Sequence, residues 1–268
     1  VVGKFYKKEK MKKNNISNTI IKILLVVVFI MGIYLFVKKD ETSTISKQSQ
    51  SETTSASISA SSNKKSSTTK KSQHRDLPKV SSSDWELVLV NRDNITAEMN
   101  PSLTDVSGIS VDSRISDKVS QFLAAAQAID ASEHLISGYR SVAYQEQLFN
   151  SYVQQEMANN ANLTQKEAEE QVKTYSQPAG ASEHQTGLAI DMSTVDSLNA
   201  SDATVAAKVQ ALAPKYGFVL RFPQGKKDST GVDYEDWHFR YVGKKSARYM
   251  TENNLTLEEY LDLLKENE

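Results

Sequence analysis

From Thr19 to Val37 the chain reads TIIKILLVVVFIMGIYLFV, apolar around the whole helical circumference apart from Lys22 near one end. About 20 such residues span a bilayer core. A helix buried in a protein core would have less polar flanks, and Lys22 can reach the interface. The pattern predicts a transmembrane helix over 19–37. A cleaved signal peptide would have a shorter apolar region and a small-x-small site, whereas Lys38-Lys39-Asp40 follows here. The basic segment 1–18 carries Lys4, Lys7, Lys8, Lys10, Lys12 and Lys13, which sets the N-terminus in the cytoplasm and the rest outside.

Patterning disappears over 38–82. Residues 41–82 hold 14 Ser and 6 Thr with almost no aliphatic content. Such a stretch buries too little surface to offset its ordering entropy, so it reads as a flexible linker. His74 lies within it and is expected to have no catalytic role.

Periodicity resumes in 83–268, expected to be one folded domain. Trp85 to Val90 alternates and predicts a strand, with a turn at Asn91–Asn94. Apolar Ile115, Val119, Phe122, Leu123 and Ala126 predict a helix capped by Ser113. A short strand at Leu135–Ser137 and a helix over Ser141–Met157 come next. Thr164 and Glu167 form a capping box for a helix reaching Tyr175, and Gln177–Gly180 breaks the chain. Leu188–Met192 predicts a buried strand. Asp202–Tyr216 predicts a helix stopped by Gly217. Strands follow at Phe218–Phe222 and Trp237–Val242, and Thr256 with Glu259 caps a last helix ending near Lys265. The irregular order points to an α+β fold with a small, mainly antiparallel sheet flanked by helices.

Charge sharpens this division. The net charge of −1 splits into +7 over 1–40, +4 over 41–82 and −12 over the remainder. An acidic folded part argues against nucleic acid as a partner, and the basic end suits an anionic membrane surface. With no cysteine, disulfides, thiolate zinc sites and a Cys nucleophile are excluded.

Two of the four histidines stand in suggestive company, in Ser182–Asp191 (SEHQTGLAID) and Glu235–Tyr241 (EDWHFRY). Catalytic zinc takes three imidazole or carboxylate ligands and leaves one position for water. His184, Asp191 and His238 could supply that set, with Gly187 permitting a tight turn between the first two. An acid at the end of an apolar strand needs a positive partner, and a metal would be one. Metal-assisted hydrolysis also needs an unbound base beside a ligand. Glu235, three residues before His238, has the better reach, and Asp236 is the alternative. Arg140, in Ser137–Ser141 (SGYRS), could grip a carboxylate terminus or an oxyanion, or form a structural ion pair. A lone histidine is more often structural than a ligand, but the joint set fills every role of a hydrolase site. His134, in a second Ser-Glu-His without the following glycine and acid, reads as structural. Trp237 reads as core or site wall, and Phe218, Leu220 and Phe222 as core.

Together, SGYRS at 137–141, SEHQTGLAID at 182–191 and EDWHFRYVG at 235–243 resemble the zinc D-alanyl-D-alanine carboxypeptidases of the VanY type and the related L,D-carboxypeptidases. WELVLVNRDN at 85–94 adds to the likeness, which spans about Trp85 to Tyr249. The resemblance implies a Hedgehog/DD-peptidase-like fold and one Zn2+ per chain, held by His184, Asp191 and His238. It implies Glu235 as catalytic base and Arg140 as substrate or oxyanion contact, with Gln145 and Ser182 lining the substrate site, where Trp237 is a further candidate contact. It departs at Asp236, where the family usually has proline. The expected activity is removal of the terminal D-alanine from peptidoglycan stem peptides, from pentapeptides (D,D) or tetrapeptides (L,D). An endopeptidase and a non-catalytic wall-binding module are the alternatives. The expected setting is a monomer, single-pass in the bacterial cell membrane, with its catalytic domain outside.

Overall fold

The computed structural model describes residues 77–197 and 199–268. The expected span at 19–37 and the linker up to Asp76 lie outside the described residues. Among the described residues no helix is long and apolar enough to cross a membrane.

The chain first makes a hairpin, β1 (Leu103–Val106) and β2 (Ile109–Asp112), turned by Ser107 and Gly108 at φ 51° and 91°. Two consecutive left-handed residues give a tight turn whose twist matches paired strands. Helix α1 (Ser116–Gln127), strand β3 (His134–Ser137) and helices α2 (Val142–Asn159) and α3 (Gln165–Val172) follow. Then come strand β4 (Ala189–Ser193), helix α4 (Ala203–Leu212), strand β5 (Phe218–Leu220) and the short α5 (Lys227–Thr230). Strand β6 (His238–Tyr241) and helices α6 (Lys244–Glu252) and α7 (Leu257–Lys265) complete the chain. The central sheet runs β3-β4-β6-β5, every neighbouring pair antiparallel, in agreement with the expected α+β class.

Side chains alternate across a strand, and here the alternation separates core from chemistry. Ile190 and Met192 of β4 and Phe239 and Tyr241 of β6 face α1, whose Val119, Phe122, Leu123 and Ala126 complete the main core. Phe122 stacks on Phe218 and meets Phe239 edge-on, each at 5.1 Å. Burying a side chain of this kind contributes about 1.5–3 kcal/mol. Asp191 and the pair His238 and Arg240, at the intervening positions, are thereby left to the opposite face. The register then sets Asp191 directly across from His238.

Several boundaries differ from the sequence expectation. Trp85–Val90 is not a strand: Trp85–Leu87 is a single 3-10 turn, and the carbonyls of Glu86 and Val88 accept from the Arg240 guanidinium instead of a neighbouring strand. Ser113 does not cap α1, because its hydroxyl is bonded to Ser102 O and Thr104 Oγ1. The strand expected to reach Phe222 stops at Leu220. Packing also begins before residue 83, since Leu77 and Val80 lie against the cluster formed by α6 and α7. Both capping boxes, Thr164 with Glu167 and Thr256 with Glu259, are present, and Gly217 ends its helix in the left-handed conformation.

Candidate active site

A buried 3-10 turn, Glu183–Thr186, carries His184 into the sheet's polar face. Gly187 closes it at φ 69°, and a Cβ there would lie 2.8 Å from Asp112 N, so only glycine allows this approach to β2. On the other side, Arg140 N donates to His184 O at 3.2 Å, and the His184 ring bonds Gly138 O through Nδ1 at 2.7 Å. Gly138 itself packs on Ser110, where a Cβ would collide with the carbonyl oxygen.

His184, Asp191 and His238 converge: one donor atom from each lies within 4.8 Å of the others, and all three residues are buried. The His184 Nδ1–H is spent on a carbonyl, so the Nε2 lone pair faces Asp191 Oδ2 at 3.4 Å. His238 presents Nδ1 to Asp191 Oδ1 at 3.0 Å and Nε2 to Glu183 Oε2 at 3.4 Å. Ser137 donates to Asp191 Oδ2. The set is two imidazoles and one carboxylate with their nitrogens turned to a common point, which fits a divalent ion such as zinc.

The electrostatics agree with that fit. Burial opposes an ionised Asp191, but His184 and His238 hold its carboxyl well below the usual range. Burial and the nearby Arg140 charge lower His184, keeping its imidazole neutral. Burial also works against a charged His238, yet hydrogen bonds to Asp191 and Glu183 raise it to about 9. A cation bound between these groups would take the place of a proton.

Glu235 is buried with Oε2 4.0 Å from His238 Nδ1. Burial pushes its carboxyl up to about 8, with help from Asp191, while His238 and Arg140 pull the other way. The buried Arg140 Nε has no partner. Ser182 and Trp237 are buried beside the ligand segments. Gln145 stands on α2 and spends its amide N–H on Gln177 O at 2.6 Å, leaving Oε1 unpartnered. Asp236 points away from this chemistry: its N–H bonds Asn199 Oδ1 and its Oδ1 is buried without a partner. His134 pairs with Asp196 at 2.8 Å, in keeping with a structural role.

The sequence reading missed three neighbours. Ser137 orients Asp191, Glu183 holds His238, and Phe222 lies on the His238 ring at 5.0 Å. Ser137 and Glu183 were visible in the motifs, but nothing in a linear spacing shows which side chain faces a ligand's second atom.

An α+β domain with two imidazoles, a carboxylate and a buried glutamic acid on one sheet face has the make-up of a metallopeptidase. Residues 108–244 match the family profile of VanY, D-alanyl-D-alanine carboxypeptidase. A D-alanyl-D-alanine carboxypeptidase of Enterococcus faecalis is 35% identical over 184 residues, covering 68% of each chain. The solved structure of VanYB in complex with D-alanine-D-alanine is 33% identical, with TM-score 0.61, covering 67% of this chain and 98% of the other. A vancomycin resistance D,D-pentapeptidase VanY, solved in complex with Zn(II), is also 33% identical, with TM-score 0.60 and coverage of 66% and 99%. The LdcB LD-carboxypeptidase is 31% identical, with TM-score 0.52 and coverage of 66% and 86%. The chain belongs to the VanY family of D-alanyl-D-alanine carboxypeptidases, which are zinc-dependent enzymes acting on peptidoglycan peptides.

Proposed function

We propose that this chain removes the C-terminal D-alanine from the peptide stems of bacterial cell wall, with His184, Asp191 and His238 holding one zinc ion and Glu235 as general base. The observation that carries the reading is the unpartnered, buried Arg140 Nε beside the His/Asp/His set. A free guanidinium N–H at a hydrolytic centre suits a substrate that ends in a carboxylate. An endopeptidase substrate, cut inside the chain, brings no such terminus.

Zinc, when bound, would polarise the scissile carbonyl and acidify the attacking water. The protein's own groups do the rest. Glu235 takes the proton from that water and passes it to the leaving amine of D-alanine. Burial raises the affinity of this carboxyl for a proton, which suits it to hold the proton until the leaving amine takes it. Arg140 binds the terminal carboxylate and orients the last peptide bond.

The apolar run at 19–37 and its basic flank support a placement of the catalytic part outside the cell membrane. The test is to incubate the zinc-loaded full chain with a pentapeptide ending in D-Ala-D-Ala, a tetrapeptide ending in a single D-Ala, and the C-terminal amide of each. Free D-alanine is expected from at least one acid, and D-alaninamide from neither amide. Cleavage within the stem, or equal turnover of acid and amide, would overturn the carboxypeptidase reading.

A further inference from the structure

Glu183 lies next to a ligand in sequence, yet its carboxylate belongs to a different ligand in space. Oε1 accepts from Arg221 Nε at 2.7 Å and from Arg240 Nη1 at 2.9 Å. Oε2 is left for His238 Nε2, at 3.4 Å. All three residues of this network are buried, and Arg221 and Arg240 are among the largest fully buried side chains. Arg240 is fixed further by the carbonyls of Glu86, Val88 and Tyr241, and Arg221 by a fork onto both oxygens of Glu258 in the first turn of α7.

A carboxylate clamped by two guanidiniums is an acceptor only. Whatever hydrogen His238 keeps must therefore sit on Nε2, which leaves Nδ1 as the ligating atom toward Asp191. His184 is locked in the opposite sense by Gly138 O. The two imidazoles therefore need opposite tautomers, and only the His184 lock comes from the backbone. An outer carboxylate or carbonyl on a ligand's second nitrogen fixes ring orientation and raises basicity.

We infer that Glu183 is the positioning residue of the metal centre, which sets His238 to bind through Nδ1 and is itself held by the buried Arg221–Arg240 pair. The inference rests on the zinc reading of His184, Asp191 and His238. In Glu183→Gln the amide N–H2 cannot face two guanidiniums, so it turns toward His238 Nε2 and demands the wrong tautomer. Zinc affinity, measured by chelator competition on the full chain, is expected to fall about 10–100-fold. Glu258→Gln supplies the control, because it removes the other acidic partner of Arg221 and touches neither imidazole. Its zinc affinity is expected to stay within about threefold of the native chain, the smaller end of outer-sphere effects being about tenfold.

Equal affinities in Glu183→Gln and the native chain would overturn the inference. So would equal losses in both variants, which would mark general destabilisation. Should Glu183→Gln fail to fold, the nitrogen-15 spectrum of the zinc-loaded native chain decides: a His238 proton on Nε2 is expected, and zinc on Nε2 overturns it. A native chain that binds no zinc would instead sink the metal reading itself.

Discussion

Burial acts in opposite directions on the two carboxyls at the centre of this site. Asp191 is buried against two imidazoles and stays ionised, whereas burial leaves Glu235 with an affinity for its proton near pH 8. Environments that push two carboxyls apart in this way separate ligand from base. Glu235→Gln keeps the shape and loses the proton transfer. Its kcat is expected to drop about 10²–10⁴-fold with zinc content unchanged, read by D-alanine release and metal analysis. Loss of zinc along with turnover would make Glu235 a ligand instead. Arg140→Lys keeps the charge but not the planar fork. We expect kcat/KM for the acid substrate to fall about tenfold or more, the worth of one charged hydrogen bond. Discrimination against the C-terminal amide should shrink in parallel. A variant that discriminates as well as the native chain would return Arg140 to a structural role.

At the scale of elements, the turn that delivers His184 depends on one backbone position. Gly187→Ala places a Cβ at φ 69° and 2.8 Å from Asp112 N. The backbone strain alone costs about 1–3 kcal/mol. A fall in Tm of roughly 4–10 °C is expected by thermal unfolding, with weaker zinc binding because His184 moves. An unchanged Tm would show that the turn relaxes without strain. Elements with a local code were legible from sequence: the capping boxes at Thr164 and Thr256 and the Gly217 stop all rest on contacts within a few residues. Strand β4 was legible because it is buried on both faces and reads as an apolar run. The hairpin was not, because β1 shows three exposed positions before Val106 and offers no alternation. Helix α6, KKSARYMTE, is amphipathic and buries Ser246, Ala247, Tyr249 and Met250 on one face, but its nine residues hold too few apolar side chains to stand out in the sequence. Trp85–Val90 misled for the opposite reason. The residues it buries, Leu87 and Val90, stand three apart and not two, and its carbonyls are met by a buried arginine from distant β6. The ligand set was readable as three residue types in two motifs; the second atoms that orient it, on Glu183, Gly138 and Ser137, required the register.

On the scale of the whole molecule, the acidic surplus of 83–268 makes stability depend on how each carboxyl is housed. Glu133 is buried just before β3 with Oε2 unpartnered. Burial, with Asp130 and Asp236 adding repulsion and His134 partly offsetting it, raises its carboxyl from 4.5 to about 7. Below pH 4.5 the group is protonated in both folded and unfolded chains, so it costs nothing. Between pH 4.5 and 7 the unfolded chain releases this proton and the folded one retains it, so its contribution to stability declines as pH rises. Above pH 7 the folded chain carries the full cost of a buried charge. Glu133→Gln removes that cost, being isosteric with the protonated acid. We expect the variant to match the native chain near pH 4 and to exceed it by about 1–3 kcal/mol at pH 8, in urea unfolding followed across that range. Asp191 and Glu183, held ionised, impose the reverse dependence in acid, so both proteins should still lose stability as pH falls below 4.5. If the two unfolding curves stay parallel from pH 4 to 8, Glu133 is solvated in solution, and the buried, unpaired carboxyl at the head of β3 does not govern the alkaline side of the stability profile.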